Sequence, residues 1–111
     1  MIAVKVQKDE DGNAARVRVE GHAFFARYGQ DIVCAAASAL TQTTIMAMQK
    51  FLSVDPLVEK KEGCLALVVP EHLRQDKKQK AQLLLETMVL GLKEIAASYP
   101  GYIEVQEEYM P

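Results

Sequence analysis

Apolar and polar residues alternate twice near the start of the chain. Ile2, Val4 and Val6 are interleaved with Ala3, Lys5 and Gln7, and Val17 and Val19 with Arg16, Arg18 and Glu20. A period of two marks strands with one buried face. Between the runs, residues 9–13 are turn chemistry, with Gly12 and Asn13 able to take positive φ. Together they predict a hairpin. Over residues 32–54 the period changes: Val33, Ala36, Ala37, Leu40, Ala47 and Phe51 fall at the spacing of one helix face. Asp55 and Pro56 end that helix, because the residue before a proline avoids the helical region. Residues 57–60 and 64–69, on either side of Lys61, Glu62 and Gly63, predict a second hairpin with Leu65, Leu67 and Val69 on one face. After Pro70 and a polar stretch over residues 74–80, a second helical stripe runs through Ala81, Leu84, Leu85, Met88, Leu92, Ile95, Ala96 and Tyr99. Pro100 and Gly101 stop it, and residues 102–106 alternate once more. The order ββαββαβ predicts an α+β fold, with two long helices packed on a mostly antiparallel mixed sheet.

Some apolar residues fall outside these stripes. Leu83 and Leu90 lie off the second helix's main face, as Ile45 and Leu52 lie off the first. A second apolar stripe predicts a homodimer that buries it. A length of 111 residues fits one domain spanning residues 1–111. With 50% hydrophobic and 25% charged residues the expectation is a soluble globule with no membrane association. A net charge of −2 supplies no broad positive field, so no direct contact with nucleic acid is expected. The opening run turns polar at Gln7 before a signal-peptide core forms, which predicts a cytoplasmic location. Two cysteines fit reduced thiols there better than a disulfide framework.

Reactive residue types coincide with local structure between Gly21 and Ser38. His22 falls just past the second strand, and Cys34 falls in the first turn of the first helix. With Asp31 as N-cap, Cys34 is the third helical residue, where free backbone N–H groups and the positive end of the helix dipole favour a thiolate. A nearby imidazole can take the thiol proton and later give it to a leaving amine. Asp31 has two readings, a plain cap or a carboxylate that orients His22. Ser38, one turn beyond Cys34 on the same face, either meets the substrate or thiol or bonds back to a helix carbonyl. The intervening loop carries Phe24, Phe25, Tyr28 and the hinge candidate Gly29, a set that can close over a peptide or fold into its own core. Cys64 opens an apolar strand and reads as a small hydrophobe, while His72 sits in a turn. A zinc site from His22, Cys34, Cys64 and His72 lacks any paired spacing, so no metal and no other cofactor is expected. On these residues alone, a buried structural cysteine is the plainer reading of Cys34.

The run Gly21-His22-Ala23, followed by residues 29–36 (Gly-Gln-Asp-Ile-Val-Cys-Ala-Ala) and Ser38, resembles the signature of the ribosomal-processing cysteine protease family, Prp. Both halves of the motif are present at the family's spacing, and the element order is similar over nearly the whole chain. The resemblance implies that His22 and Cys34 form a catalytic dyad supported by Asp31 and Ser38. It also implies a homodimeric endopeptidase that removes the short N-terminal extension of a large-subunit ribosomal protein. The backbone N–H groups around Cys34 would form its oxyanion hole. The competing expectation is a non-catalytic assembly or adaptor protein that binds such a ribosomal protein, with Cys34 merely packing.

Overall fold

The computed structural model describes residues 1–111. Along the chain run β1 (Ile2–Lys8), β2 (Ala14–Glu20), α1 (Ile32–Leu52), β3 (Leu57–Lys61), β4 (Cys64–Val68), α2 (Gln75–Ser98) and β5 (Ile103–Tyr109), the expected ββαββαβ order. They form a five-stranded sheet in the order β3-β4-β2-β1-β5, antiparallel except for the parallel β1–β5 pair. The register sets Val4 beside Val19 and Val105, Val6 beside Val17, and Val17 beside Leu67. Period-two alternation therefore gathers these residues on one face, and both helices pack against it in one core. Gly91 of α2 lets the helices approach, since a Cβ there would lie 2.9 Å from a Leu40 methyl of α1.

Helix α1 is long and apolar enough to cross a membrane by length and composition. Here it lays Val33, Ala37, Thr41, Thr44, Ile45 and Met48 into the core. Three expectations change as a result, for Ile45, Phe51 and Leu52. Ile45 is a core residue rather than a spare one, and Phe51, expected on the buried stripe, is 74% exposed. The stripe runs 37, 41, 44, 45, 48, and its next position is 52, so Leu52 packs against the core and Phe51 turns outward. Thr41 and Thr44 hide this stripe from a hydrophobicity pattern. Both are buried because each hydroxyl donates to a carbonyl one turn back, Thr41 Oγ1 to Ala37 O at 3.0 Å and Thr44 Oγ1 to Leu40 O at 2.7 Å.

Helix α2 starts at Gln75, six residues before its apolar stripe, with polar opening turns that face solvent. Leu83 and Leu90 stay exposed, at 66% and 62%. Strand β5 runs beyond Gln106 because its pairing with β1 continues to Lys8 and Tyr109. Glu107 there bonds Lys93 at 3.0 Å and pairs with Lys8 at 3.6 Å. The Lys93 bond, against some burial and with help from Lys8, holds its carboxyl below the usual range.

Gln82 is buried, and its amide closes a two-bond clamp on the first residue of β2. Its Oε1 accepts from Ala14 N and its Nε2 donates to Ala14 O, both at 2.8 Å. The clamp sits where the β1–β2 register shifts between Gln7 and Lys8. Gln82→Leu leaves a buried donor and acceptor unpaired, and each such group costs about 1–3 kcal/mol. Urea unfolding should show a loss of roughly 2–4 kcal/mol with an unchanged m-value; a wild-type midpoint would mean that water or a backbone shift replaces the clamp.

Candidate active site

The chain leaving β2 is fixed by a glycine. Gly21 has φ +97°, and a Cβ on it would lie 2.5 Å from the Met1 carbonyl oxygen, so only glycine fits. Its N–H donates to Gly63 O at 2.8 Å, tying the end of β2 to the β3–β4 turn. His22 follows with its ring over that turn. A Cβ on Gly63 (φ +71°) would come within 3.0 Å of His22 Nε2, so this second glycine makes room for the imidazole. The ring is solvent-exposed and lies 5.9 Å from the Phe24 ring.

Opposite His22, α1 begins with Asp31 as its N-cap. Asp31 Oδ1 accepts from Val33 N and Cys34 N, both at 3.0 Å. Its Oδ2 accepts from Phe25 N at 3.0 Å and Ala26 N at 3.5 Å. One carboxylate thus caps the helix and holds the loop. Burial raises the Asp31 pKa, but the backbone bonds from Cys34, Phe25 and Ala26, with a smaller contribution from the Cys34 side chain, outweigh it and leave the pKa lowered. Cys34 is half-buried at the third helical position, as expected, and its Sγ accepts the Ala23 N–H at 3.4 Å. No hydrogen bond joins His22 to Cys34. The two are nonetheless close, because Ala23 N is about 2.4 Å from His22 Cα by covalent geometry, which puts that Cα within about 6 Å of Sγ.

One expectation fails at this helix start. The N–H groups around Cys34 are not vacant: Asp31 Oδ1 takes those of Val33 and Cys34, and the Asp31 carbonyl takes that of Ala35 at 3.0 Å. The cap that orders the turn consumes its donors, and the amide facing the sulfur comes from Ala23 instead. Nothing in the residue type of an alanine signals this.

The loop divides into two parts. Phe25 packs edge-on against Tyr99 and Tyr102, with ring centroids 5.3 Å and 5.1 Å away, so it docks on the junction of α2 and β5. Phe24 is exposed and holds a left-handed φ of 57°. Tyr28 is 92% exposed, and Gly29 (φ +84°) has nothing within 4 Å of its missing Cβ. Ser38 is exposed, and its Oγ accepts from Gln42 Nε2 rather than donating back along the helix. Cys64 is buried at the start of β4, and His72 is exposed in the turn before α2.

The two halves of the Asp31 carboxylate can be separated by substitution. Asp31→Asn keeps an acceptor for the helix amides but presents a donor to Phe25 N–H and Ala26 N–H, whereas Asp31→Ala removes both. Loss of the cap costs about 1 kcal/mol, so Asp31→Ala should unfold at lower urea than Asp31→Asn. Both should exchange the Phe25 amide faster than the wild type. Because the folded pKa is lowered, the stability Asp31 contributes is present above the unfolded carboxylate range and lost as pH falls through the folded value. The stability gap between wild type and Asp31→Ala should therefore close on acidification; a gap independent of pH would contradict a charged cap.

Comparison with known proteins bears on the whole chain. The family model of the cysteine protease Prp matches residues 1–104. The ribosomal processing cysteine protease Prp of Bacillus subtilis is 33% identical over 107 residues, covering 95% of this chain and 96% of that protein. The Prp of Staphylococcus aureus is 32% identical over 101 residues, covering 89% and 92%. In three dimensions the chain matches the crystal structure of the essential ribosomal processing protease Prp from S. aureus in complex with a covalently linked product peptide. That match has a TM-score of 0.87 at 29% identity and covers 96% of this chain and 99% of the other. A second S. aureus structure, in complex with a substrate peptide, matches with a TM-score of 0.83 at 28% identity and the same coverage. With a family match over nearly its full length and the same fold, the chain belongs to the cysteine protease Prp family.

Proposed function

We propose that this chain is a ribosomal processing endopeptidase that removes the N-terminal extension of a large-subunit ribosomal protein in the cytoplasm, with Cys34 as nucleophile and His22 as general base. The observation that carries this reading is the Ala23 N–H bond to Cys34 Sγ, which fixes the residue next to His22 at a thiol in the first turn of a helix. The names of the relatives, ribosomal processing proteases, support the substrate class.

His22 takes the thiol proton, and Sγ attacks the carbonyl carbon of the scissile peptide, whose C=O electron pair moves onto oxygen. As negative charge passes from sulfur to that oxygen, the Ala23 N–H is the amide at hand to follow it. Collapse of the tetrahedral intermediate breaks the C–N bond, and the imidazolium protonates the departing amine. Water, deprotonated by His22, then hydrolyses the thioester and restores the thiol. Residues 27–30, with exposed Tyr28 and open Gly29, form the part of the loop free to cover the bound peptide. An overall acidic chain suits a partner as basic as a ribosomal protein.

A homodimer completes this reading. Leu83 and Leu90 lie seven residues apart on α2, one stripe of a helix, and a second copy would cover them. The protein should sediment as a dimer at micromolar concentration, and Leu83→Glu with Leu90→Glu should sediment as a folded monomer; a wild type that is monomeric throughout a dilution series would end the proposal.

The central test is cleavage of the extended ribosomal protein, read as product mass. Cys34→Ala should give no product while keeping its circular dichroism spectrum. His22→Ala should lose about a hundred- to ten-thousand-fold in turnover, the usual contribution of a general acid–base group, with peptide binding retained. Alkylation should reach Cys34 well before Cys64, which is 8% exposed. Cleavage by Cys34→Ala at the wild-type rate would overturn the assignment.

A further inference from the structure

A row of three polar or reactive side chains runs along one face of α1. Cys34, Ser38 and Gln42 are spaced four apart, so each lies one turn above the last. The row ends at the edge of the sheet. Lys60 of the edge strand β3 is paired with Leu65, whose other neighbour is Val19, and this puts Lys60 on the face that the helices cover. From there Lys60 Nζ donates to Gln42 Oε1 at 2.9 Å, and it makes no ion pair.

An ammonium carries only donors, so this bond fixes which end of the Gln42 amide faces where. The oxygen turns to Lys60, and the NH2 group turns to Ser38 Oγ, which accepts from it. A serine within a helix ordinarily sends its proton back to a carbonyl three or four residues earlier. Three threonines of this protein do so: Thr41 to Ala37 O, Thr44 to Leu40 O and Thr87 to Leu83 O. Ser38 does not. Its lone pair is engaged by Gln42, its side chain is exposed, and its proton is free to point outward, one turn from the sulfur.

We propose that Gln42 and Lys60 are positioning residues that make Ser38 a hydrogen-bond donor to the peptide carbonyl attacked by Cys34, an inference that rests on Cys34 being the nucleophile. Lys60 sets the amide, the amide sets the hydroxyl, and the hydroxyl meets the oxygen on which charge develops. This supplies a donor in place of the Val33 and Cys34 amides, which are taken by Asp31.

The test uses Lys60, an exposed edge-strand residue whose replacement leaves the core untouched. Arginine is also donor-only and keeps the amide orientation, whereas glutamate is acceptor-only, draws the NH2 to itself and turns the amide oxygen onto Ser38, whose proton is then consumed inward. With a peptide spanning the cleavage site, Lys60→Arg should cleave within twofold of wild type. Lys60→Glu should lose about five- to tenfold in kcat with a smaller change in KM, the scale of one transition-state hydrogen bond. Ser38→Ala should lose at least as much, and adding Lys60→Glu to it should lower kcat no further. Iodoacetamide should alkylate Cys34 at one rate in all of these variants. Equal kcat for Lys60→Arg and Lys60→Glu, a further loss in the double variant, or wild-type cleavage by Ser38→Ala would each overturn the proposal while leaving Cys34 as nucleophile. Cleavage by Cys34→Ala, assayed alongside, would instead remove the reading beneath it.

Discussion

The Asp31 carboxylate is the interaction on which the site depends. A helix start has amides without intrahelical partners, and a loop that folds back over it brings more. Asp31 serves both sets, with one oxygen on Val33 and Cys34 and the other on Phe25 and Ala26. Negative charge there is favoured by the helix dipole and by four N–H donors, which together overcome the cost of partial burial. The same bonds that define where α1 begins thus define where the loop lies relative to Cys34. Capping and loop anchoring are one event; of the two roles expected for Asp31, the cap is present, and its second oxygen holds the Phe25 and Ala26 amides rather than the His22 ring.

The other side of the site rests on close backbone approach rather than on charge. β1 lies inside the sheet, with antiparallel β2 on one side and β5 on the other, so the start of β1 sits beside the end of β2. The Met1 carbonyl comes too near Gly21 for any side chain, and the Gly21 N–H is drawn to Gly63. His22 therefore leaves the sheet in one direction, onto the bare backbone of Gly63. The sheet order matters directly: β4 pairs with β2, which delivers the β3–β4 turn to the imidazole and the edge strand β3 to the flank of α1.

The strand pattern, the turn residues and the ends of α1 were legible because each follows from local chemistry. Alternating valines reported the covered face of β1 and β2; Asp55-Pro56 marked the end of α1 only to within a few residues, since the helix stops at Leu52 on a left-handed Ser53 cap. The buried stripe of α1 was partly misread, since Thr41 and Thr44 sit in the core and only their back-bonded hydroxyls allow it. The long-range clamp from Gln82 to Ala14 spans 68 residues and leaves no periodic trace. At the site, Cys34 and Asp31 stood out by position within a helix turn, and His22 by its place behind a glycine. The Ala23 amide, the Gly63 platform and the Lys60–Gln42 link were invisible for one reason: each is a tertiary contact between residues more than ten positions apart, which no local pattern records.

The left-handed backbone at Phe24 gives the loop its logic. Such a conformation costs a non-glycine residue about 1–2 kcal/mol, and it persists only where surrounding bonds require it. Here the amide before it points at Cys34 Sγ and the amide after it points at Asp31 Oδ2. With residue 24 in this conformation, both amides reach the same helix start. With Phe25 wedged against Tyr99 and Tyr102, residues 23–26 are held at the thiol, while residues 27–30 bond only among themselves, Gln30 N to Arg27 O and Arg27 Nε to Gln30 Oε1. The loosely held segment is thus shorter than the whole stretch between His22 and Asp31. On the proposed reading, a peptide covered by residues 27–30 would leave the Ala23 amide on the Cys34 sulfur, so covering the substrate and holding the thiol would not compete.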